Sequence, residues 1–368
     1  IRDDVESRGL GDVYKRQDLM SVRKWMFAGA LLLAAGLSSL GFAQKPGLKF
    51  NPDKKFKIVQ FTDLHVKWQD PRSDIAFERM NQVLDDEKPD LVIFTGDIIY
   101  SKPALENMRN VLKTVSDRKI PFSIVFGNHD NEQGATKEEL LKVAESLPYS
   151  LTADEVPEIS GVGNYALTVR SSDGKKDAFV LYCIDSNTYS TIKGVKGYDY
   201  IKRDQIDWYC KKSAEFTRNN GGEPVPSLAF FHIALPEFNQ AASDENAQLY
   251  GIRREKACAP ALNSGLFTAI KENGDVMGIF VGHDHDDDYA VCWYDVLLAY
   301  GRFTGGPTEY IHIPNGARVI ELNEGARTFK TWIRTKAGVE QLTTYPDSFV
   351  KAVSYTHLRA HETRRHLV

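Results

Sequence analysis

The chain has 368 residues, of which 42% are hydrophobic and 26% are charged. This composition is ordinary for a folded globular protein and excludes a disordered chain, a collagen-like repeat and a multi-span membrane protein. The formal net charge is −4, which argues against a nucleic-acid partner, because broad electrostatic binding to nucleic acid requires a basic surface.

Residues 20–43 have the layout of a signal peptide. Two basic residues precede an apolar run over 26–40, and small residues follow at 41 and 43, the positions of a cleavage site. Because the run is short for a bilayer, an uncleaved membrane anchor is the less favoured alternative. We therefore expect a protein exported to the periplasm or secreted, without a stable membrane span after cleavage.

Residues 1–19 and 353–368 resemble translated sequencing-adapter read-through, and we expect both to be non-native extensions. A metal-binding tag is the alternative for the second segment, which is rich in His and Arg. Both the signal peptide and this tail carry a net positive charge, so the remaining chain is more acidic than the whole. We expect residues 44–352 to form the folded domain.

The first half of this domain repeats one pattern three times: an apolar run, a polar turn and a helix-like stretch. The apolar runs cover 56–61, 90–95 and 121–126, and the helix-like stretches cover 73–87, 103–117 and 136–147. Because the apolar runs are continuous, we expect strands that are buried on both faces. The pattern predicts an α/β fold, with a parallel or mixed sheet and helices on both sides.

The second half of the domain alternates less regularly. Strands are predicted over 164–169, 178–184, 227–231, 276–281, 296–300, 318–322 and 328–333, with helices near 202–217 and 264–271. Residues 171–174 have the composition of a hairpin turn. The close spacing of the strands after residue 285 predicts an antiparallel edge.

Polar side chains that commonly bind metals follow five of these predicted strands. They are Asp63 and His65, then Asp97, then Asn128 and His129, then His232, and finally His283 and His285. Because open α/β sheets build their sites at the carboxyl ends of strands, we expect these residues to meet at one edge. Five of the six histidines within 44–352 lie there, which favours a functional site over isolated structural histidines.

The mixture of carboxylates, imidazoles and one amide oxygen suits a pair of divalent or trivalent ions. Mn, Fe or Zn fit this donor set better than calcium or magnesium alone. The two-residue spacing of Asp63 and His65 predicts that both point the same way from an extended segment and share an ion, and His283 and His285 repeat that spacing. Two neighbouring ions need a bridging carboxylate, and Asp97 is the natural bridge.

The ordered set Asp-x-His, Gly-Asp, Gly-Asn-His-Asp, a later His and Gly-His-x-His resembles the calcineurin-like metallophosphoesterase superfamily. The resemblance extends over about 55–324. Blocks at 161–165, 181–186, 230–237 and 262–265 look most like its purple-acid-phosphatase-like branch. The resemblance implies a four-layer sandwich in which two packed mixed β-sheets are flanked by α-helices.

The same resemblance implies a role for each motif residue. One ion would be held by Asp63, His65, Asp97 and His285, and the second by Asp97, Asn128, His232 and His283. His129 matches the catalytic histidine of the family, which stabilises phosphoryl charge or protonates the leaving oxygen. A hydroxide between the ions would attack phosphorus in line.

We therefore expect an exported dinuclear-metal phosphoester hydrolase whose partner is a small phosphate ester, with phosphomonoesters as the first choice. A phosphodiesterase acting on nucleotides or lipid headgroups is one alternative. A catalytically silent protein that binds metal or a phosphate ligand is the other. The sequence leaves the oligomeric state open.

Further charged residues near these motifs carry weaker expectations. Arg253, Arg254 and Arg302 are candidate substrate contacts, because a guanidinium matches phosphate oxygens in pairs. For Asp130, orientation of His129 and capping of a helix are equally favoured. The acidic run 286–288 is expected to be a solvated turn rather than a support for the site.

Overall fold

A computed structural model describes residues 45–350 of the chain. The predicted extensions at 1–19 and 353–368 and the predicted signal peptide at 20–43 lie outside the described residues. Within 45–350, no helix combines the length and apolar character that crossing a bilayer requires.

The described residues form fourteen strands and six α-helices. The strands are β1 Leu48–Lys49, β2 Lys55–Phe61, β3 Leu91–Thr95, β4 Phe122–Val125, β5 Tyr165–Arg170, β6 Asp177–Cys183, β7 Ser227–Phe230, β8 Leu249–Tyr250, β9 Val276–Val281, β10 Ala290–Trp293, β11 Val296–Tyr300, β12 Gly316–Asn323, β13 Phe329–Thr335 and β14 Gly338–Tyr345. The helices are α1 Asp74–Glu87, α2 Ala104–Ser116, α3 Lys137–Glu145, α4 Arg203–Asn219, α5 Glu237–Ala241 and α6 Leu266–Asn273.

The strands form two mixed sheets. The six-stranded sheet has the order β14-β13-β12-β2-β3-β4, in which β2, β3 and β4 are parallel and β12 runs antiparallel to β2. The eight-stranded sheet has the order β1-β5-β6-β7-β9-β11-β10-β8, with β6, β7, β9 and β11 parallel. The three predicted strand-helix units thus supply one half of the six-stranded sheet.

Three hydrophobic clusters divide the molecule into four layers. Between the sheets, Phe56 and Ile58 of β2 pack in one cluster with Leu228 and Phe230 of β7. The next residue, Val59, belongs to a second cluster, shared with helices α1 to α3. A third cluster joins the other face of the eight-stranded sheet to α4 and α6. Because successive residues of a buried strand face opposite sides, both faces of these strands must be apolar.

Most predicted elements match the structure to within a few residues, and the α/β class is confirmed. The hairpin turn at 171–174 joins the antiparallel strands β5 and β6. The antiparallel edge after residue 285 is also present, since β10 pairs antiparallel with both β11 and β8. Strand β14 was missed because it is an edge strand whose sequence is mostly polar and only partly buried.

The layer between the sheets should dominate the stability of the fold. Phe280 is buried there and stacks on Phe230, with ring centroids 5.4 Å apart. We expect Phe280→Ala to lower the free energy of unfolding by about 3–5 kcal/mol, because it removes apolar contacts and leaves a cavity. Leu342→Ala, at a side chain that is 60% exposed, should change it by less than about 0.5 kcal/mol. Equal effects in denaturant titrations would contradict this layer assignment.

Candidate metal centre

The predicted metal-binding residues follow strands of both sheets. Asp63, Asp97 and Asn128 come after β2, β3 and β4 of the six-stranded sheet. His232 and His283 come after β7 and β9 of the eight-stranded sheet. The two sheets are joined at this edge by Gln60, whose side-chain amide donates to Thr95 Oγ1 at 2.9 Å and to the Val281 carbonyl at 3.0 Å. The carboxyl ends of strands from both sheets therefore meet at one place.

Six of the predicted ligands form two buried groups, each with the donor atoms within 4.8 Å of one another. The first group is Asp63, His65 and His285, and the second is Asp97, His232 and His283. Each group can hold one metal ion. His283 and His285 fall in different groups, so the interpretation that a two-residue spacing places both on one ion is wrong for this pair.

Asp97 lies between the two groups. Its Oδ2 is 3.1 Å from His232 Nε2 in its own group and 3.7 Å from His65 Nε2 in the other. Its Oδ1 accepts a hydrogen bond from the backbone N–H of His129 at 2.8 Å. One carboxylate oxygen is thus fixed by the backbone, while the other is positioned to serve both groups.

The local backbone brings these side chains together through left-handed turns. Asp63, His65, Asp97 and His283 have φ values of 52°, 44°, 49° and 83°. Residues other than glycine adopt this region at a cost on the order of 1 kcal/mol each, so the surrounding structure must hold these turns in place. The prediction of an extended segment for Asp63 and His65 is therefore wrong, because a turn places both in one group.

Two imidazoles are oriented by backbone carbonyls. His232 Nδ1 donates to the Thr95 carbonyl at 2.7 Å, and His285 Nδ1 donates to the Tyr310 carbonyl at 3.0 Å. Since a carbonyl can only accept, the proton is placed on Nδ1 in both rings. Nε2 of each ring is then the atom that faces its metal-binding group, the usual arrangement for a metal-binding histidine.

Asp63 and Asp97 are held by neighbouring N–H and O–H groups. Thr62 Oγ1 donates to Asp63 Oδ2 at 2.7 Å, and the backbone N–H of His283 donates to the same oxygen at 2.9 Å. The Asp130 carboxylate accepts the backbone N–H groups of Asp97, Ile98, Ile99 and Gly127. Asp130 therefore fixes the turn that carries Asp97. Asp130 was expected either to orient His129 or to cap a helix. Both predictions are wrong, because its carboxylate binds these backbone N–H groups and Thr136 caps the following helix.

The buried charges shift the pKa values in opposite directions. Burial raises the pKa of Asp63, and burial lowers the pKa values of His65 and His283 well below their usual range. Burial also disfavours the charged forms of Asp97 and His232, but their mutual attraction outweighs it. The pKa of Asp97 is therefore low and that of His232 rises to about 10. An incoming metal ion must displace the His232 proton.

One buried oxygen without a partner and two converging imidazoles fit a set of metal ligands. Asn128 Oδ1 is buried and has no hydrogen-bond partner within the described part of the chain. His65 Nε2 also lies 3.0 Å from His285 Nε2, an approach of two nitrogens that a shared cation would stabilise. An orphaned amide oxygen and converging imidazoles are donors suited to Mn, Fe or Zn.

His129 differs from the predicted ligands in being partly exposed. Its side chain is 26% exposed, whereas Asp63, His65 and Asp97 are almost completely buried. Its Nδ1 donates to Glu132 Oε2 at 2.6 Å, and its ring centroid lies 5.6 Å from that of His65. The pairing with Glu132 leaves Nε2 as the nitrogen able to reach a bound molecule.

The prediction of a substrate contact for Arg302 is wrong. Its guanidinium is fully buried, donates from Nε to Asp288 Oδ2 at 2.6 Å and bonds the Pro314 carbonyl at 2.7 Å. Arg253 and Arg254 are exposed, and each donates one N–H to a backbone carbonyl. For these two arginines the substrate contact stays a prediction.

The acidic run at 286–288 is buried and is not a solvated turn. Asp286 pairs with His312, Asp287 accepts the backbone N–H of Arg254 at 2.8 Å, and Asp288 pairs with Arg302. The run therefore anchors the segment that follows His285. Periodicity could not reveal this, because the basic and amide partners come from distant parts of the chain.

Three further residues at the centre were missed by the sequence reasoning. Glu132 holds His129, Tyr189 Oη lies 3.3 Å from Asn128 Nδ2, and the Tyr310 ring stacks on His285. The three-residue spacing of His129 and Glu132 within a helical turn was a usable signal. The two tyrosines lie in loops far from any motif and had no such signal.

This geometry defines a two-ion binding site on an α/β sandwich, and comparison with known proteins gives the family. The family model described as "Calcineurin-like phosphoesterase" matches residues 56–287. The chain therefore belongs to the calcineurin-like phosphoesterase family. The fold and the purple-acid-phosphatase-like resemblance predicted from the motifs are confirmed.

Two relatives and one solved structure illustrate these similarities. "Probable inactive purple acid phosphatase 29" of Arabidopsis thaliana is 34% identical over 79% of this chain and 85% of its own length. "Phosphatase DCR2" of Saccharomyces cerevisiae is 35% identical over 80% of this chain but only 56% of its own length. A dimetal phosphatase from Danio rerio has the same fold, with a TM-score of 0.55, 13% identity, and coverage of 78% of this chain and 98% of its own.

Gly282 gives a direct test of the first metal group. A Cβ atom at this position would collide with the Thr62 hydroxyl and Asp63 Oδ2. We expect Gly282→Ala to weaken metal binding about tenfold or more, because disturbing the groups that orient a ligand has effects of this size. Gly47→Ala, where the added atom meets nothing within 4 Å, is the matched control. Unchanged metal content in elemental analysis of the Gly282 variant would contradict the assignment of Asp63.

Proposed function

We propose that this protein is a metal-dependent hydrolase of phosphomonoesters. One observation carries the proposal: two buried donor groups are linked by Asp97 Oδ2, which lies 3.1 Å from His232 Nε2 and 3.7 Å from His65 Nε2. A centre that needed one ion would not require a carboxylate oxygen placed between two complete groups. The residues that would hold the ions are Asp63, His65, Asp97, Asn128, His232, His283 and His285.

The bound ions would polarise the phosphoryl oxygens and lower the pKa of a water molecule toward neutrality. His129 can contact a bound ester where the buried residues cannot, because its imidazole is partly exposed and lies beside His65 of the first group. Its Nδ1 is held by Glu132, so its Nε2 can bond a phosphoryl oxygen or transfer a proton to the leaving oxygen. Glu132 keeps the ring oriented for this task.

The name of the Saccharomyces cerevisiae relative, "Phosphatase DCR2", favours phosphatase activity, and hence monoesters, as the substrate class. The layout of residues 20–43 supports export to the periplasm or outside the cell. A catalytically silent, metal-binding protein is the second candidate, since the Arabidopsis relative is named "probable inactive". Retention of His129 and of complete donor groups favours the enzyme.

The proposal is tested by loading the protein with Mn, Fe or Zn and assaying a chromogenic phosphomonoester and the matching diester. We expect turnover of the monoester, and we expect His129→Ala to lower kcat by about 10²- to 10⁴-fold, as for loss of a general acid. His312→Ala removes an exposed histidine that also pairs with a carboxylate but belongs to neither metal group, so it should lower kcat far less than His129→Ala.

Asp97→Asn tests in the same assay whether activity depends on the bound ions, because it weakens the carboxylate that both groups share. We expect it to lose bound metal together with activity. Two bound ions without turnover of any ester would favour the silent protein, and faster turnover of the diester would reverse the substrate class.

The role of Glu132 predicts a dependence on the leaving group. We expect Glu132→Gln to lower kcat about tenfold for an alkyl phosphate, whose leaving oxygen needs a proton, and less for a nitrophenyl phosphate. Metal content should not change, because Glu132 is not in either donor group. Glu145→Gln, on an exposed face of helix α3, is the control. A uniform loss for both esters would contradict a role in proton transfer.

A further inference from the structure

Two tyrosines at the metal centre remain nearly half exposed. Tyr189 is 43% exposed and Tyr310 is 46% exposed, although each contacts a residue of the centre. Large aromatic rings are usually buried to a greater extent, and exposed rings beside a site commonly contribute to binding. The contacts that each tyrosine makes with the protein limit what it can offer to a ligand.

Tyr189 belongs to a short hairpin that follows strand β6. It pairs across the hairpin with Tyr198, and the two rings stack with centroids 5.5 Å apart and an interplanar angle of 24°. Tyr198 in turn packs edge-on against His283 at 4.3 Å. The hairpin base is fixed, since Asn187 Nδ2 donates to the Tyr200 carbonyl at 3.0 Å. One face of Tyr189 is therefore packed beside the second metal group.

Tyr310 occupies the corresponding position beside the first metal group. Its ring stacks on His285 with centroids 4.4 Å apart and an interplanar angle of 22°. Its backbone carbonyl accepts the hydrogen bond from His285 Nδ1. The same loop is tied down by Thr308, whose hydroxyl donates to the His65 carbonyl at 2.9 Å. One face of this ring is also covered while nearly half of the residue remains exposed.

The hydroxyl groups of both tyrosines are already engaged by carboxylates. Tyr189 donates to Glu132 at 3.1 Å, and Tyr310 donates to Glu255 at 3.1 Å. The exposed part of each ring is what remains for a ligand.

We infer that the site selects phosphoesters whose alcohol part carries a flat aromatic group, over polyol phosphates. Tyr189 and Tyr310 are held rigidly, one beside each metal group, and each keeps an exposed part of its ring for stacking, which is available only to a flat ring. This inference rests on the proposed hydrolysis of phosphomonoesters. The flat group is either a simple aryl ring or a nucleobase.

The test compares benzyl phosphate with cyclohexylmethyl phosphate on the metal-loaded full-length chain. Both leaving groups are primary alkoxides of similar size, so the two substrates differ mainly in whether the ring of the alcohol part is flat. We expect kcat/KM to favour benzyl phosphate about five- to tenfold, in line with one aromatic contact or two. Tyr189→Leu and Tyr310→Leu should each reduce that preference, whereas the Phe variants should keep it. Tyr294→Leu, at a 68% exposed ring after strand β10, is the matched control.

A preference that is absent, or that survives both Leu substitutions, would overturn the inference while leaving the hydrolase proposal intact. If no ester is turned over, the hydrolase proposal fails separately. Calorimetric binding of benzylphosphonate and cyclohexylmethylphosphonate then tests the selectivity by itself, and equal affinities would overturn it. Adenosine 5′-monophosphate measured against ribose 5-phosphate shows whether a nucleobase is the group that stacks.

Discussion

The carboxylate of Asp97 is the interaction on which the two halves of this site depend. Its Oδ2 serves donors that arrive from different sheets, His65 after β2 and His232 after β7. That position is possible because Asp130 holds the backbone of the Asp97 turn, and because the His129 N–H fixes the other oxygen. Asp97 is buried, so its charge requires compensation. Its attraction to His232 supplies that compensation, and a bound cation would take over the same role.

The same edge of the sandwich also carries unfavourable backbone conformations. Asp63, His65, Asp97 and His283 all adopt positive φ values, although none is a glycine. Such conformations persist only where the surrounding structure overdetermines them. Here the apolar layers on both sides of each sheet, and the Gln60 side chain that joins the sheets at this edge, provide that surrounding. Stability built by the cores thus maintains a geometry that the local sequence would not choose.

A feature of this arrangement could be predicted where the local sequence carries a signal for it, and could not where it depends on contacts between distant segments. Buried parallel strands need long apolar runs, so β2, β3, β9 and β11 were evident, and metal chemistry needs particular side chains at their ends. The membership of His283 and His285 in different groups came from the family pattern, because their spacing alone suggested a shared ion. The burial of Arg302 with Asp288, and the stacking of Tyr310 on His285, depend on contacts between distant segments. No local pattern encodes such contacts.

The contacts of Asp288 bear on where the folded domain ends. The family match stops at residue 287, yet the Asp288 side chain accepts from Arg302 and from Gln341 of strand β14, while its carbonyl accepts from Arg318 of strand β12. Strand β12 is also the neighbour of β2, which leads to Asp63 and His65. The strands beyond the family match therefore support the segment that follows His285 through Asp288. Any shortened version of the protein that keeps all the metal-binding residues but omits these strands would lose the support of that segment.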